Sequence, residues 1–328
     1  MPSVLIGPLL IRKQPGPFRT ILTDAGFDVV DPDGETNALS RDELVKHLPR
    51  VDAMVVGAER LTPDLFDLAP RLRVAARTGV GYDLVDLPAA RAHGVVVTIT
   101  PGTNQESVAE QAFALLLSLT RSVVRNHDAI RGGGWDRRMV DPLRGKTLGL
   151  IGLGRIGRAM AVRARAFGMR VVAHDVAAPT EFDASQAIDR HTLDQLLAVS
   201  DVVSLHVPVT EETRNLVDAR FLAKMRPGSY LINTARGGLI VEADLRDALA
   251  SGHLAGAGLD VFQVEPPEPG NALLKLPNVV FSPHVGGTDT KSMSDMAAMA
   301  AQCIVDLHQG RWPTACVVDA SLQNGWKW

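Results

Sequence analysis

The chain predicts an α/β protein built as two doubly wound, parallel-sheet blocks. Short apolar runs alternate with helical patterns from Pro2 to about Pro101, a long helical pattern then closes on glycines, and a second series of short apolar runs opens on a glycine-rich loop. Alternation of this kind makes βαβ units, whose parallel sheet is covered on both faces, so each strand reads as an unbroken apolar run.

In the first block the expected strands are "SVLIG", "FDVVD", "VDAMVVG", "LRVAART" and "VVVTIT", and the helical patterns between them are "FRTILTDAG", "RDELVKHL", "TPDLFDLAP" and "DLPAARAHG". The segment "TNQESVAEQAFALLLSLTRSVVRNHDAIRGG" then predicts one long connecting helix, with Thr103 or Asn104 at its N-cap and Gly132 to Gly134 ending it. In the second block "KTLGLIGLG", "RVVAHD", "DVVSLHVP", "SYLINTA", "LAGAGLDVF" and "NVVFSPH" read as short buried strands, and "TKSMSDMAAMAAQCIVDLHQG" as a long amphipathic helix. No repeat of solenoid or propeller period is present.

Length and composition agree with this organisation. A chain of 328 residues suffices for two domains with sizeable cores, and 46% apolar with 22% charged residues is the balance of a globular protein. Its 34 basic residues are scattered among 37 acidic ones, so nucleic acid is set aside as a partner. Cys303 and Cys316 fall in an expected helix and an expected late strand, with no CxxC and no histidine at ligand spacing; they read as reduced thiols, and no metal is expected. The start "MPSVLIGPLLIRK" lacks a charged leader and is broken by Gly7 and Pro8, so it reads as a first strand. No apolar stretch reaches the roughly 20 residues of a membrane span. A cytoplasmic location without a membrane partner is expected.

The opening of the second block carries the first functional signal. Gly152-Leu-Gly154-Arg-Ile-Gly157 follows an expected strand, precedes a helix, and is followed by a second strand ending in Asp175. GxGxxG alone is weak; in this context it is a dinucleotide loop. Gly152 permits the turn, Gly154 the approach of a pyrophosphate, and Gly157 close packing of helix on strand. Asp175 stands where an acid accepts from a ribose diol and repels a 2′-phosphate, and Val176 follows it instead of an Arg or Ser, which favours NAD over NADP.

Three later strands end in groups that fit hydride transfer to a ketone. "LINTA" delivers Arg236, "GLDVF" delivers Glu265, and "VVFSP" delivers His284. Ligands of an open α/β sheet bind beyond the carboxyl ends of its strands, where these three meet. The emerging alkoxide needs a proton donor, and histidine is the side chain that titrates near neutrality. Glu265 behind the ring fixes its tautomer and stabilises the imidazolium, while an arginine fork holds a carboxylate. Taken singly, each of the three is more often structural; their succession downstream of a dinucleotide loop makes the case.

With these blocks in this order, "TPGTNQESVAEQAFALLL", "LRGKTLGLIGLGRIGRAMA", "VSLHVPVTEETRNLV", "LINTARGGLIVEADLRDAL", "GAGLDVFQVEPP" and "FSPHVGG", the chain resembles the D-2-hydroxyacid dehydrogenase family over nearly its whole length. The resemblance implies a Rossmann NAD domain, 102–288, inserted in a flavodoxin-like substrate domain made of 1–101 and 289–328. It implies Arg236, Glu265 and His284 as catalytic residues. For the cofactor, NAD, it points to Gly152, Gly154, Arg155, Ile156, Gly157, Asp175, His206, Val207, Pro208, Thr213, Thr234 and Asp260. The loop of Thr78, Gly79, Val80 and Gly81, preceded by Arg77, would meet the carboxylate of a small 2-keto or 2-hydroxy acid. A homodimer is implied, through the "AFALLLSLT" helix and the Trp135 loop.

The expected activity is reversible hydride transfer between NADH and a 2-keto acid of the glyoxylate or hydroxypyruvate type, giving the D-2-hydroxy acid. Arg77, Arg12, Lys13 and Arg60 keep open a second anionic group on the substrate, as in 3-phosphoglycerate oxidation. Formate dehydrogenases resemble the chain but pair their histidine with glutamine, and phosphite dehydrogenases carry lysine about where Val80 stands. From another class, transcriptional corepressors that resemble this family and sense NAD share the triad and the fold; fold alone does not choose between these functions.

Overall fold

The computed structural model describes residues 1–34 and 36–328. They divide into two compact units, Met1–Asn104 with Gly287–Trp328, and Gln105–Gly286.

The first unit holds a five-stranded parallel sheet of β1 (Ser3–Ile6), β2 (Asp28–Val30), β3 (Ala53–Val56), β4 (Val74–Arg77) and β5 (Val96–Thr98), in the order β2-β1-β3-β4-β5. This is the flavodoxin-like order. Period-2 alternation splits each strand between two cores. Val4, Ile6, Ala53, Val55, Val74 and Ala76 pack on one side, and Leu5, Met54, Val56 and Ala75 on the other. Helices α1 (Pro17–Asp24), α2 (Arg41–His47), α3 (Pro63–Asp67) and α4 (Leu87–Ala92) lie between the strands in sequence. Ser40 and Glu43 form a reciprocal capping box at the start of α2.

The second unit begins with α5 (Gln105–Thr120) and α6 (Val123–Arg131), where the sequence predicts a single helix. The break falls at Ser122, which sits in the left-handed region at φ 52°, ψ 38°. Two forces make it. The Thr120 hydroxyl turns back to donate to the Leu116 carbonyl at 2.9 Å. The buried stripe of α5 (Ala112, Phe113, Leu115, Leu116) also stops at Thr120, whereas α6 buries no residue, so nothing holds both segments to one axis. Of the two expected caps, Thr103 donates its hydroxyl to the Thr100 carbonyl at 2.7 Å, and Asn104 directly precedes the first helical residue, Gln105.

A seven-stranded parallel sheet follows: β6 (Thr147–Ile151), β7 (Arg170–His174), β8 (Asp189–Arg190), β9 (Val202–Leu205), β10 (Ser229–Asn233), β11 (Leu254–Leu259) and β12 (Val279–Phe281). Its order is β12-β11-β10-β9-β6-β7-β8, a doubly wound sheet that reverses between β6 and β9. Strand β8 has no counterpart in the sequence reading, because two residues carry no periodicity. Helices α7 (Arg155–Ala166), α8 (Glu181–Ser185), α9 (Leu193–Val199), α10 (Ala219–Lys224) and α11 (Glu242–Ala250) belong to this unit. Leu148 and Leu150 face one core and Ile151, Val203 and Leu205 the other. Burying each such side chain stabilises the fold by about 1.5–3 kcal/mol.

The chain then returns to the first unit as α12 (Thr290–His308), capped by the Asp289 carboxylate accepting from Ser292 N–H at 2.7 Å. Cys303 is buried in this helix. Cys316 lies in a turn and not in a strand; beside it, Val317 makes a single antiparallel bridge to Thr98. Among the described residues no helix is long and apolar enough to cross a membrane.

Candidate active site

Three loops at the carboxyl edge of the seven-stranded sheet build the site. At the end of β10, Asn233 is fully buried and folds the chain around itself: its Oδ1 accepts from Ala235 N–H at 3.0 Å and its Nδ2 donates to the Arg236 carbonyl at 2.8 Å. This turn presents Arg236. Gly237 lies so close to the Phe262 backbone that a Cβ there would overlap it, which brings the arginine loop against the loop carrying Glu265.

Beyond β11, the Phe262 N–H donates to Glu265 Oε1 at 3.0 Å. The other oxygen, Oε2, lies 2.7 Å from His284 Nδ1. Burial pushes the Glu265 carboxyl up, but the hydrogen bond and charge of His284, the Phe262 N–H and the charge of Arg236 outweigh it and leave the group below the usual carboxylate range. Glu265 is therefore an anion at neutral pH. Its bond to Nδ1 leaves the exposed ring's Nε2 without a hydrogen-bond partner among the described residues.

His284 adopts φ 54°, the left-handed region that costs a non-glycine residue about 1–2 kcal/mol. Asp260, buried at the end of β11, holds it there. The His284 N–H donates to the Asp260 carbonyl at 2.8 Å. The Asp260 carboxylate accepts from Ser282 Oγ at 2.5 Å, Val285 N–H at 3.0 Å and Gly286 N–H at 2.8 Å. Gln111 of α5 in turn donates to Ser282 Oγ at 2.9 Å. A strained histidine fixed from behind is the pattern of a functional group. Asp260, which the family pattern assigns to the cofactor, thus commits most of its carboxylate to the histidine loop. Asn233, Ser282 and Gln111 are supporting residues that the sequence reading missed; a buried asparagine closing "LIN" was the available signal.

The glycine loop crosses from β6 to α7. A Cβ on Gly152 would meet the His206 carbonyl at 2.6 Å, and one on Gly157 would overlap the Gly152 carbonyl, so both must be glycine. Gly154, by contrast, faces space with no atom within 4 Å of such a Cβ, and it caps α7 without a side chain. The first-turn amides of α7, from exposed Arg155 through Ile156, are left for an anion. Asp175 accepts from Leu153 N–H at 2.5 Å and from Ala177 N–H at 2.8 Å. Burial raises its carboxyl, but these amides, then Arg190 and His174, lower it overall. Thr234 Oγ1 is buried with no partner among the described residues. Open space over Gly154, uncapped amides, an ionised acid one strand away and an orphaned hydroxyl are the features a dinucleotide requires, and these residues fit one.

After β9, His206 Nε2 lies 2.9 Å from Ser204 Oγ, and desolvation lowers the imidazole to about 3. Val207 flanks Gly152. Thr213 is spent on its own loop, donating to the Pro208 carbonyl at 2.7 Å and accepting from Thr210 N–H at 2.7 Å.

In the other unit, the loop after β4 is tied by Arg77, whose Nε donates to the Gly81 carbonyl at 2.8 Å and whose Nη1 donates to the Gly57 carbonyl. Thr78 N–H donates to the Val56 carbonyl at 2.9 Å. Gly79, at φ 138°, donates its N–H to Thr100 Oγ1 at 2.8 Å. The amides of Val80 and Gly81 have no acceptor among the described residues.

The family model for the D-isomer specific 2-hydroxyacid dehydrogenase NAD binding domain matches residues 113–286. The chain is 42% identical to a hydroxypyruvate reductase of Thermotoga maritima over 77% of this chain and 84% of that one. It is 38% identical to a glyoxylate reductase of Thermofilum pendens over 93% and 92%. A D-3-phosphoglycerate dehydrogenase of Archaeoglobus fulgidus is 38% identical over 83% of this chain, but the match spans only 52% of that protein. The crystal structure of the TT0316 protein from Thermus thermophilus superposes with a TM-score of 0.86 at 38% identity, covering 97% of this chain and all of that one.

Proposed function

The chain belongs to the D-isomer specific 2-hydroxyacid dehydrogenases, and on that premise we propose that it reduces a small 2-keto acid of the glyoxylate or hydroxypyruvate type to the D-2-hydroxy acid, with His284 as the acid–base group. It is an NAD-dependent oxidoreductase, and bound NADH supplies the hydride. The observation that carries the reading is the His284 Nδ1–Glu265 Oε2 contact of 2.7 Å, with Nε2 left for a substrate oxygen.

In the reductive direction the His284 imidazolium gives its Nε2 proton to the keto oxygen as that oxygen gains charge; in reverse the neutral ring takes it back. Glu265 steadies the charged ring, and Arg236 binds the substrate carboxylate with its guanidinium fork. In the unit of residues 1–104 and 287–328, the amides of Val80 and Gly81 are donors suited to a carboxylate. Gly152, Gly154, Arg155, Ile156 and Gly157 would hold the pyrophosphate, Asp175 the ribose diol, Thr234 and Asp260 the nicotinamide, with His206, Val207, Pro208 and Thr213 as further cofactor residues. In this reading residues 105–286 are the NAD unit and the remaining residues the substrate unit.

Arg77 gives N–H groups to two backbone carbonyls, which weighs toward a small keto acid and away from a phosphorylated one. A homodimer is also proposed. Of the α5 residues named for it, Ala112, Phe113, Leu115, Leu116 and Thr120 are buried, whereas α6 and the loop after it expose Val123, Ile130, Trp135 and Met139, with Trp135 81% exposed. Light scattering on the full chain checks the dimer. Loss of NADH absorbance with glyoxylate, hydroxypyruvate, pyruvate and 3-phosphohydroxypyruvate tests the reaction. Turnover on glyoxylate or hydroxypyruvate is expected; silence across the panel with NADH still bound overturns it.

A further inference from the structure

In the five-stranded sheet the strand order reverses between β1 and β3, the switch point at which a doubly wound sheet opens a crevice beyond its carboxyl ends. The Glu59 carboxyl stands there. It is 1% exposed and lies so close to the end of β1 that a Cβ on Gly7 would meet it at 2.7 Å. Glutamate is almost never fully buried unless its oxygens find donors. Oε1 accepts from Leu39 N–H at 3.2 Å, and Oε2 accepts from Gly57 N–H, just past β3, at 2.5 Å. Arg12, 3% exposed, ties the same edge by donating to the Gly7 carbonyl, and to the Gly34 carbonyl at 2.5 Å.

Gly57 links this carboxyl to the loop after β4. Its N–H goes to Glu59, and its carbonyl accepts from Nη1 of Arg77, whose Nε donates to the Gly81 carbonyl at 2.8 Å. Thr100 holds the loop from its other end: its Oγ1 accepts from Gly79 N–H at 2.8 Å, and its N–H donates to the Gly79 carbonyl at 2.9 Å. Between the two braces stand the amides of Val80 and Gly81, which have no acceptor among the described residues.

We propose that Glu59 is a positioning residue for the substrate: through Gly57 and Arg77 it aims the Val80 and Gly81 amides for a carboxylate of the 2-keto acid. The inference rests on reading that loop as a carboxylate contact. Donors bind an anion only as well as they are held in place, and a loop fixed at Gly79 alone would turn about its glycines. The sequence hides the link, since an acid beside Arg60 in "GAERLT" reads as surface charge.

Steady-state kinetics on the full chain with glyoxylate and hydroxypyruvate test this, together with NADH titration and thermal melts. Glu59→Met keeps the side-chain length and removes both acceptors. Its KM for the keto acid is expected to rise about tenfold or more, with kcat within about twofold of wild type and NADH affinity unchanged. Arg77→Lys cuts the next link and raises KM likewise. In the Arg77→Lys background Glu59→Met adds nothing further, because the path is already broken. Glu59→Gln, which keeps one of the two acceptors, serves the same cycle should the Met variant not fold. A Glu59 variant with a lowered melting temperature and wild-type KM is a structural brace only and overturns the proposal, as do effects of the two substitutions that multiply independently. An unchanged KM in Arg77→Lys overturns it as well. Wild type that binds NADH but reduces neither acid refutes the substrate reading itself, an outcome distinct from all of these.

Discussion

His206 and His284 stand just beyond two strands of one sheet, and their surroundings make them opposites. His206 has a hydroxyl for a neighbour, Ser204, and desolvation lowers it to about 3, so it stays neutral at every physiological pH. His284 has a carboxylate for a neighbour, Glu265, and keeps one nitrogen unpartnered among the described residues. The residue type at a strand end thus says little about acid–base work; burial and the partner on the ring decide it.

The sharpest way to break the contrast is His284→Ala, which is expected to lower kcat/KM by about 10²–10⁴ while NADH binding is unchanged. Unchanged turnover in a steady-state assay would move the proton to another group. Next comes Asp260→Ala. It strips acceptors from Ser282, Val285 and Gly286, at about 1–3 kcal/mol for each group left buried and unsatisfied, so the denaturant midpoint and activity fall together. A full-strength midpoint would show that the loop holds itself.

Glu265→Gln has a smaller effect, about 10- to 100-fold in kcat, because the ring keeps a hydrogen-bond partner but loses the charge behind its imidazolium; urea melts should barely move. The smallest effect belongs to His206. Its folded value of about 3 lies below the unfolded value of 6.5, so the fold prefers the neutral ring. The stability this contributes is fully present above about pH 6.5 and is lost as pH falls from there toward 3, with a slope of at most about 1.4 kcal/mol per pH unit. His206→Gln removes that slope from a series of melts between pH 7 and pH 4. An identical slope in the variant would assign the acid sensitivity elsewhere.

Much of this arrangement was legible in the sequence because it is local. Each strand was a short apolar run between breakers, and the Gly152–Gly157 spacing sits within one turn. The contact of His284 with Glu265 was legible too, as neighbouring strands end together. What escaped depends on tertiary register. Strand β8 is too short to signal itself, and the placement of Arg190 follows only from its pairing with Ala173. The break at Ser122 reflects where the buried stripe of α5 runs out, not a helix breaker in the sequence. Asp260 carries a family label toward the cofactor, yet its bonds run to residues 22–26 positions later, a distance over which no pattern announces a partner.

Gly237 has a consequence for anyone who would redesign the molecule. With the Phe262 backbone where its side chain would be, every other amino acid at 237 acts as a wedge that parts Arg236 from Glu265. Saturation libraries spend their diversity to no purpose at that position. Val80, 37% exposed and with its own amide and that of Gly81 unengaged among the described residues, is where a library can vary the chain without levering the Arg236 and Glu265 loops apart.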